Sequence, residues 1–331
     1  MPYSAPRSSS SSRPSSSSSG GSRSGGWRQG SSPSRGRARS SAPAPKVIVK
    51  SDLELALDAA AEAAESDTAE VPSFAQLGLP DKLVSLLARR GMEAPFAIQA
   101  RALPDALAGR DVLGRGQTGS GKTLAFGLPA ITRLLAGPRR TPNRPRALVL
   151  VPTRELAQQV HDALAPLAQP IDLKLATVYG GASMGRQIDQ LRRGVDLVVA
   201  TPGRLQDLIE QGECILDAIE ITVLDEADHM ADLGFLPAVT ALLDLTPATS
   251  QRMLFSATLD RGVDRLVRQY LRDPAVHAVA ASSSPVALMD HQVWAVTHDA
   301  KPALAAEIAA RPARTLFFVR TKHGADRLSI Q

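Results

Sequence analysis

The stretch Gly116-Gln117-Thr118-Gly119-Ser120-Gly121-Lys122-Thr123, entered from the apolar run Asp111-Val112-Leu113, decides how this chain is read. Gly116, Gly119 and Gly121 let the backbone wrap closely around an anion, and a helix opening at Lys122 turns its free amides toward the same point. In loops of this kind the lysine neutralises the β- and γ-phosphates and the threonine hydroxyl reaches Mg²⁺. An apolar run, a glycine loop and a helix in that order predict an α/β fold built around a bound nucleotide.

Outward from this loop, from about Pro72, short apolar runs keep alternating with helical stretches. Runs at 147–151, 173–178, 197–200, 221–224 and 253–256 read as buried strands, and 154–167 as a helix. The alternation predicts a mostly parallel sheet covered by helices on both faces. In such sheets ligands lie beyond the carboxyl ends of the strands, which is where the motifs fall. The run Ile221-Thr222-Val223-Leu224 delivers Asp225 and Glu226 at its tip. Asp225 is expected on the Mg²⁺ side, through water, and Glu226 is placed to activate a hydrolytic water. His229 reads as packing or a polar neighbour.

Composition narrows the class. Hydrophobic residues are 44% of the 331 and charged residues 21%, enough apolar matter for a globular core. No run approaches the ~18 apolar residues of a membrane span, and the serine-rich start lacks a secretory core. The single cysteine, Cys214, excludes an intrachain disulfide and a thiolate metal cluster, and reads as a small apolar filler. A cytoplasmic setting fits these features.

The net charge of +5 is unevenly spread. Residues 1–46 hold eight arginines and lysines and no acid, whereas 47–70 hold one lysine against seven acids. The first segment, rich in Ser, Gly and Arg, is expected to be disordered. It reads as a solvated tail, as an RNA-gripping arm built on Ser34–Arg39 and Trp27, or as an organellar transit peptide. Residues 47–71 read as an acidic, alanine-rich linker or marginal helix, whose negative charge would compete with RNA for the basic tail.

Asp225-Glu226-Ala227-Asp228 together with the phosphate loop resembles the bacterial-type DEAD-box family of ATP-dependent RNA helicases. Further strings match in order. Phe74 precedes Gly91 by 17 residues, and Gly91 opens a segment ending in Ile98-Gln99 that is similar to the family's adenine motif. By that likeness Gln99 bonds the adenine edge and Phe74 stacks on it, with Gly116 to Thr123 holding the phosphates. Pro152-Thr153-Arg154-Glu155-Leu156-Ala157, the Gly180-Gly181 doublet and Thr201-Pro202-Gly203-Arg204 match RNA-contacting motifs. Ser256-Ala257-Thr258 matches the motif that couples hydrolysis to strand separation. The resemblance implies a RecA-like domain over 72–284, ATP and Mg²⁺ as ligands, and RNA held by its backbone. Physically, Arg154 and Arg204 suit phosphate oxygens, Thr153 and Thr201 add hydroxyl donors, and none of them reads a base edge. Two departures stand out: Phe96-Ala97 where the family has Thr-Pro, and Gly116 where alanine is usual.

Residues 285–331 resemble the start of a second RecA-like lobe, with strands expected at 293–296 and 315–319, a helix at 302–310 and a motif match at Thr321-Lys322. The family's arginine-bearing second-lobe motifs do not appear before Gln331. The expectation is a polypeptide that binds ATP·Mg²⁺ and weakly binds RNA, with little RNA-stimulated hydrolysis and no unwinding. The apolar strand at 315–319 is expected to present an unpaired edge. The competing readings are a non-catalytic, ATP-gated RNA-binding fragment, and a DNA-directed or unrelated phosphate-loop ATPase. Ribonucleoprotein, ribosome-assembly or RNA-decay partners are compatible with the residues and are not specified by them.

Overall fold

The computed structural model describes residues 50–66, 71–117, 119–279, 292–312 and 314–329. The basic tail over 1–46 and the expectation of disorder attached to it lie outside these residues. The chain runs α1 (Asp52–Ser66), α2 (Asp81–Ala88), α3 (Ala97–Leu107), β1 (Val112–Arg115), α4 (Lys122–Ala136), β2 (Ala147–Leu150) and α5 (Arg154–Ala168). It continues through β3 (Leu175–Val178), α6 (Met184–Arg192), β4 (Leu197–Ala200), α7 (Pro202–Glu210) and β5 (Ile221–Asp225). Then come α8 (Ala227–Asp232), α9 (Leu236–Asp244), β6 (Gln251–Ser256), α10 (Arg261–Tyr270) and β7 (Ala275–Ala278).

Seven strands form one sheet in the order β3-β4-β2-β5-β6-β1-β7, and every pairing is parallel. Successive residues of a strand point to opposite faces, so the apolar runs fill two cores. Val112, Ala147, Val149, Val223 and Phe255 face α2 to α5. Leu113, Leu148, Leu150, Leu224 and Leu254 face α1 and α6 to α10. Right-handed crossovers explain the division. The chain steps from β1 through β2 to the edge strand β3 with α4 and α5 on one face. It then returns through β4, β5 and β6 to β7 with α6 to α10 on the other.

Buried polar groups hold the strand that carries the phosphate loop. Asp111, just before β1, accepts from the backbone N–H of Arg252 and of Arg272, each at 2.7 Å, tying the starts of β6 and β7 to β1. Gly114 is obligatory, because a Cβ there would stand 2.4 Å from the Phe255 ring. Phe255 in turn meets Phe126 of α4 with centroids 5.6 Å apart, clamping the helix after the loop onto the sheet. Arg146 closes the far end of α4, donating to the carbonyls of Leu134 and Pro138.

The structure refines the sequence reading in several places, and of the two readings of the acidic segment it takes the helix. The strand expected from 173 begins at Leu175, and the one expected from 253 begins earlier, at Gln251. β7 is a strand that the sequence reading passes over. The acidic segment is a regular helix whose Leu57 is buried in the second core. Its Asp58 bonds Lys50 at 2.6 Å and Arg115, at the tip of β1, at 2.7 Å. Cys214 is buried, its thiol pushed up to about 12 by burial, in keeping with a filler.

In the segment 292–329 the structure forms α11 (Lys301–Ala309) and α12 (Lys322–Ser329). The strands expected at 293–296 and 315–319 do not form, because among the described residues neither stretch has a ladder partner. A parallel strand without neighbours gains no ladder bonds to offset its ordering. Val293, Leu316 and Phe318 stand exposed, and an apolar groove of about 530 Å³ opens between Ala305, Phe317 and Leu328.

Candidate nucleotide site and nucleic-acid interface

The topology makes two crevices. At β1 and β6, adjacent strands send their helices to opposite faces, and the same happens around β2, whose neighbours β4 and β5 both send theirs to the face opposite α5. Ligands in open α/β sheets settle at such points.

The first crevice holds the phosphate loop. Gly121 caps α4 with φ 92, a left-handed conformation that glycine adopts without penalty. The fifteen-residue helix therefore aims its dipole and its first amides at the loop. Lys122 is only 7% exposed and its Nζ donates to the Gly116 carbonyl at 2.7 Å, inside the curve of the loop. Ser120 Oγ is buried there and has no hydrogen-bond partner among the described residues, an orphaned donor of the kind a phosphate oxygen would satisfy. Thr123 is half-buried in the first turn, whereas Gln117 and Gly119 are exposed. Thr118 lies outside the described residues.

β6 separates β5 from β1, so the tips carrying Asp225 and the loop are two strand steps apart, about 10 Å at the usual spacing. Asp225 is 4% exposed. Burial pushes its carboxyl up to about 6, against the opposing pull of the Lys122 charge. Glu226 adopts a left-handed conformation, φ 53 and ψ 52, rare for a residue with a side chain. Strain of this sort costs on the order of 1–3 kcal/mol and concentrates at functional sites. Glu226 donates its N–H to Asp225 Oδ1 at 3.1 Å, and His229 Nδ1 approaches its Oε2 at 4.0 Å.

Ser256 and Thr258, assigned by resemblance to coupling, meet Asp228, a residue that sequence reasoning passed over. Asp228 Oδ2 accepts from the Thr258 N–H at 2.9 Å and the Thr258 hydroxyl at 2.8 Å. The Asp228 N–H donates to Ser256 Oγ at 3.2 Å, which itself donates to the Thr258 carbonyl at 2.7 Å. Burial raises the Asp228 carboxyl, but these hydrogen bonds outweigh it and hold the group below its ordinary value. The network fastens the ends of β5 and β6 together. The acid four residues after Leu224 was the available signal.

Of the two adenine candidates, the structure brings one to the loop. Gln99 Nε2 donates to the Gly121 carbonyl at 3.0 Å, and its Oε1 accepts from the Phe96 N–H at 3.0 Å. Phe74 is 2% exposed and belongs to the core with Leu79, Leu83 and Ile98, so its ring offers no open face.

The second crevice gathers the other candidate residues at the ends of β2, β3 and β4. Thr153 caps α5, its hydroxyl oxygen accepting from the Leu156 N–H at 3.2 Å. Arg154 follows with its side chain 57% exposed, paired with neighbouring Glu155 at 3.0 Å. The guanidinium lies 3.8 Å from where a Cβ of Gly181 would stand, so the exposed Gly180-Gly181 turn and Arg154 share one surface. Thr201 caps α7 and donates its N–H to the Val178 carbonyl at 2.9 Å. Arg204 differs from Arg154. Largely buried, it donates to the Ala182 carbonyl at 3.2 Å and braces the glycine turn with Gln187, while its Nε lies 3.7 Å from Asp207 Oδ2. Pro152 is buried beneath this surface.

With this geometry in place, comparison with known proteins identifies the class. Residues 96–266 match the DEAD/DEAH box helicase family, and the chain belongs to that family. It is 43% identical over 263 residues to the RNA helicase CrhR of Synechocystis sp., covering 78% of this chain and 52% of that protein. It is 40% identical over 265 residues to the ATP-dependent RNA helicase RhlB of Xanthomonas oryzae, covering 78% of this chain and 46% of that one. The chain thus spans about half the length of these relatives. A crystal structure of a DEAD box protein from the hyperthermophile Methanococcus jannaschii superposes with a TM-score of 0.59 at 30% identity, covering 78% of this chain and 69% of the other. Among the described residues no helix is long and apolar enough to cross a membrane.

Proposed function

We propose that this chain is the ATP-binding part of an ATP-dependent RNA helicase that holds RNA by its backbone and uses ATP hydrolysis to separate strands locally. The observation that carries the reading is the buried Lys122 curled into the glycine loop at the tip of β1, with the buried Asp225 at the tip of β5 one intervening strand away. Residues 72–284 are the ATP-binding lobe in this reading, 285–331 open a second lobe, and 1–71 form an N-terminal extension. The setting is cytoplasmic, with ribonucleoprotein, ribosome-assembly or RNA-decay machinery as the kind of partner.

Gly116 to Thr123 bind the phosphates, and Thr123 and Asp225 hold Mg²⁺. Mg²⁺ is usually held by one or two carboxylates and phosphate oxygens and keeps several waters, so a hydroxyl and a single buried carboxylate suit it. When bound, the ion neutralises charge developing on the phosphate oxygens. Glu226 sits at the rim of this site and accepts the proton of the attacking water. Gln99 orients the base. Asp228, Ser256 and Thr258 link the acid-bearing strand to its neighbour and so transmit its position. Arg154, the Gly180-Gly181 turn and Thr201 grip a sugar-phosphate strand, with Arg204 holding the turn in shape.

The test is ATP hydrolysis with and without single-stranded RNA, compared with Glu226→Gln. A rate above that of the variant supports the enzyme. RNA binding switched by ATP with no hydrolysis above the variant would make it a nucleotide-gated clamp instead. Preference for DNA in competition would remove the RNA assignment.

A further inference from the structure

Phe96 is a large apolar side chain left 60% exposed at the mouth of the phosphate loop. Its position is fixed by two contacts. The backbone N–H of Phe96, at the start of α3, is held by Gln99 Oε1. A Cβ placed on Gly121 would stand 2.5 Å from Phe96 Cδ2 and 2.5 Å from Gln99 Nε2, so ring, amide and loop glycine meet at one point. Gln99 is buried beside this ring. Among the described residues one donor and one acceptor of that amide remain uncommitted, the pattern that complements the N6 and N7 edge of adenine. The aromatic residue expected to stack, Phe74, is sealed in the core.

We propose that Phe96 supplies the stacking surface for the adenine ring of the bound nucleotide, an affinity-determining role taken at a position where the resembled family carries threonine. The proposal rests on the nucleotide reading above. A phenyl ring anchored against Gly121 and left 60% exposed gives a flat purine apolar surface to cover. Base–aromatic stacking is tolerant of ring type, so Phe96 sets how tightly a purine is held while Gln99 selects adenine.

Isothermal titration of the whole chain with ATP·Mg²⁺ and with tripolyphosphate tests it. Phe96→Ala and Phe96→Leu are expected to weaken ATP binding by about fivefold or more, the lower bound for losing one stacked base. Tripolyphosphate, which has no base, is expected to bind both variants within about twofold of wild type, and Phe96→Trp is expected to retain ATP affinity. Because the ring is exposed, the variants are expected to keep the wild-type melting temperature. A smaller loss for ATP, or equal losses for ATP and tripolyphosphate, overturns the proposal and leaves Phe96 a loop-shaping residue. Wild-type protein that takes up neither ligand would overturn the nucleotide reading itself, and the proposal with it.

Discussion

The two crevices of the sheet are built from the same parts and differ in how they treat charge. At the β1/β6 crevice Lys122, Asp225 and Gln99 are all buried, and each is held by backbone or by an opposing charge. At the β2/β4 crevice the foremost cation, Arg154, stands in solvent beside an exposed glycine turn. Buried charges interact strongly and tolerate little displacement, which suits chemistry on a triphosphate. Exposed charges act through a screened field and adapt to whatever strand passes, which suits a backbone grip without sequence preference. One fold thus provides a precise site and a permissive one about three strands apart.

The contrast is broken most directly at Glu226. Glu226→Gln is expected to lower ATP turnover by about 10²- to 10⁴-fold, the usual worth of a general base, while ATP affinity holds. Turnover and titration on the same sample check it, and equal losses in both would deny the residue a role in the chemical step. Lys122→Ala comes next, with ATP affinity expected to drop by about 10- to 100-fold, as for a lost hydrogen bond to a charged group. RNA binding without nucleotide should be unchanged, measurable by fluorescence anisotropy with a labelled single strand.

Asp225 sharpens the comparison through pH. Its carboxyl rises from an ordinary 3.8 to about 6 in the folded chain. Between those values the native protein holds a proton that the unfolded chain releases, so this group's contribution to stability falls as pH rises through that window. Metal-linked binding runs the other way, since it needs the carboxylate. ATP·Mg²⁺ affinity is expected to fall about tenfold from pH 7 to pH 5 beyond any loss seen in Asp225→Asn, whose comparison removes the titration of the phosphates themselves. Parallel pH profiles for the two proteins would refute it. The smallest effect belongs to the permissive site. Arg154→Ala is expected to weaken single-stranded RNA a few-fold, equally for unrelated sequences, and to reduce the salt slope by about 0.7. A loss confined to one sequence would turn the grip into readout.

Much of the nucleotide crevice was legible in the chain because its determinants are local. A glycine loop between an apolar run and a helix, or two acids at the tip of Ile221–Leu224, is a statement about neighbours in sequence. Fully buried parallel strands such as Leu197–Ala200 were equally plain as unbroken apolar runs. β7 was not, since His277 interrupts a four-residue edge strand whose place is set by Asp111 and by α1. The acidic helix looked unattached because one leucine, Leu57, does most of its burial. At 293–296 and 315–319 the same apolar pattern misled, because pattern alone does not supply a neighbouring strand.

Local chemistry in the chain was enough to specify a phosphate-binding loop, a pair of acids and the strand–helix alternation that carries them. Which aromatic residue stays exposed, which arginine faces solvent and which acid ties β5 to β6 were settled only by packing. Phe74 and Phe96, or Arg154 and Arg204, are equivalent as letters. They differ in what the fold lays against them, and exposure depends on contacts between residues far apart in sequence.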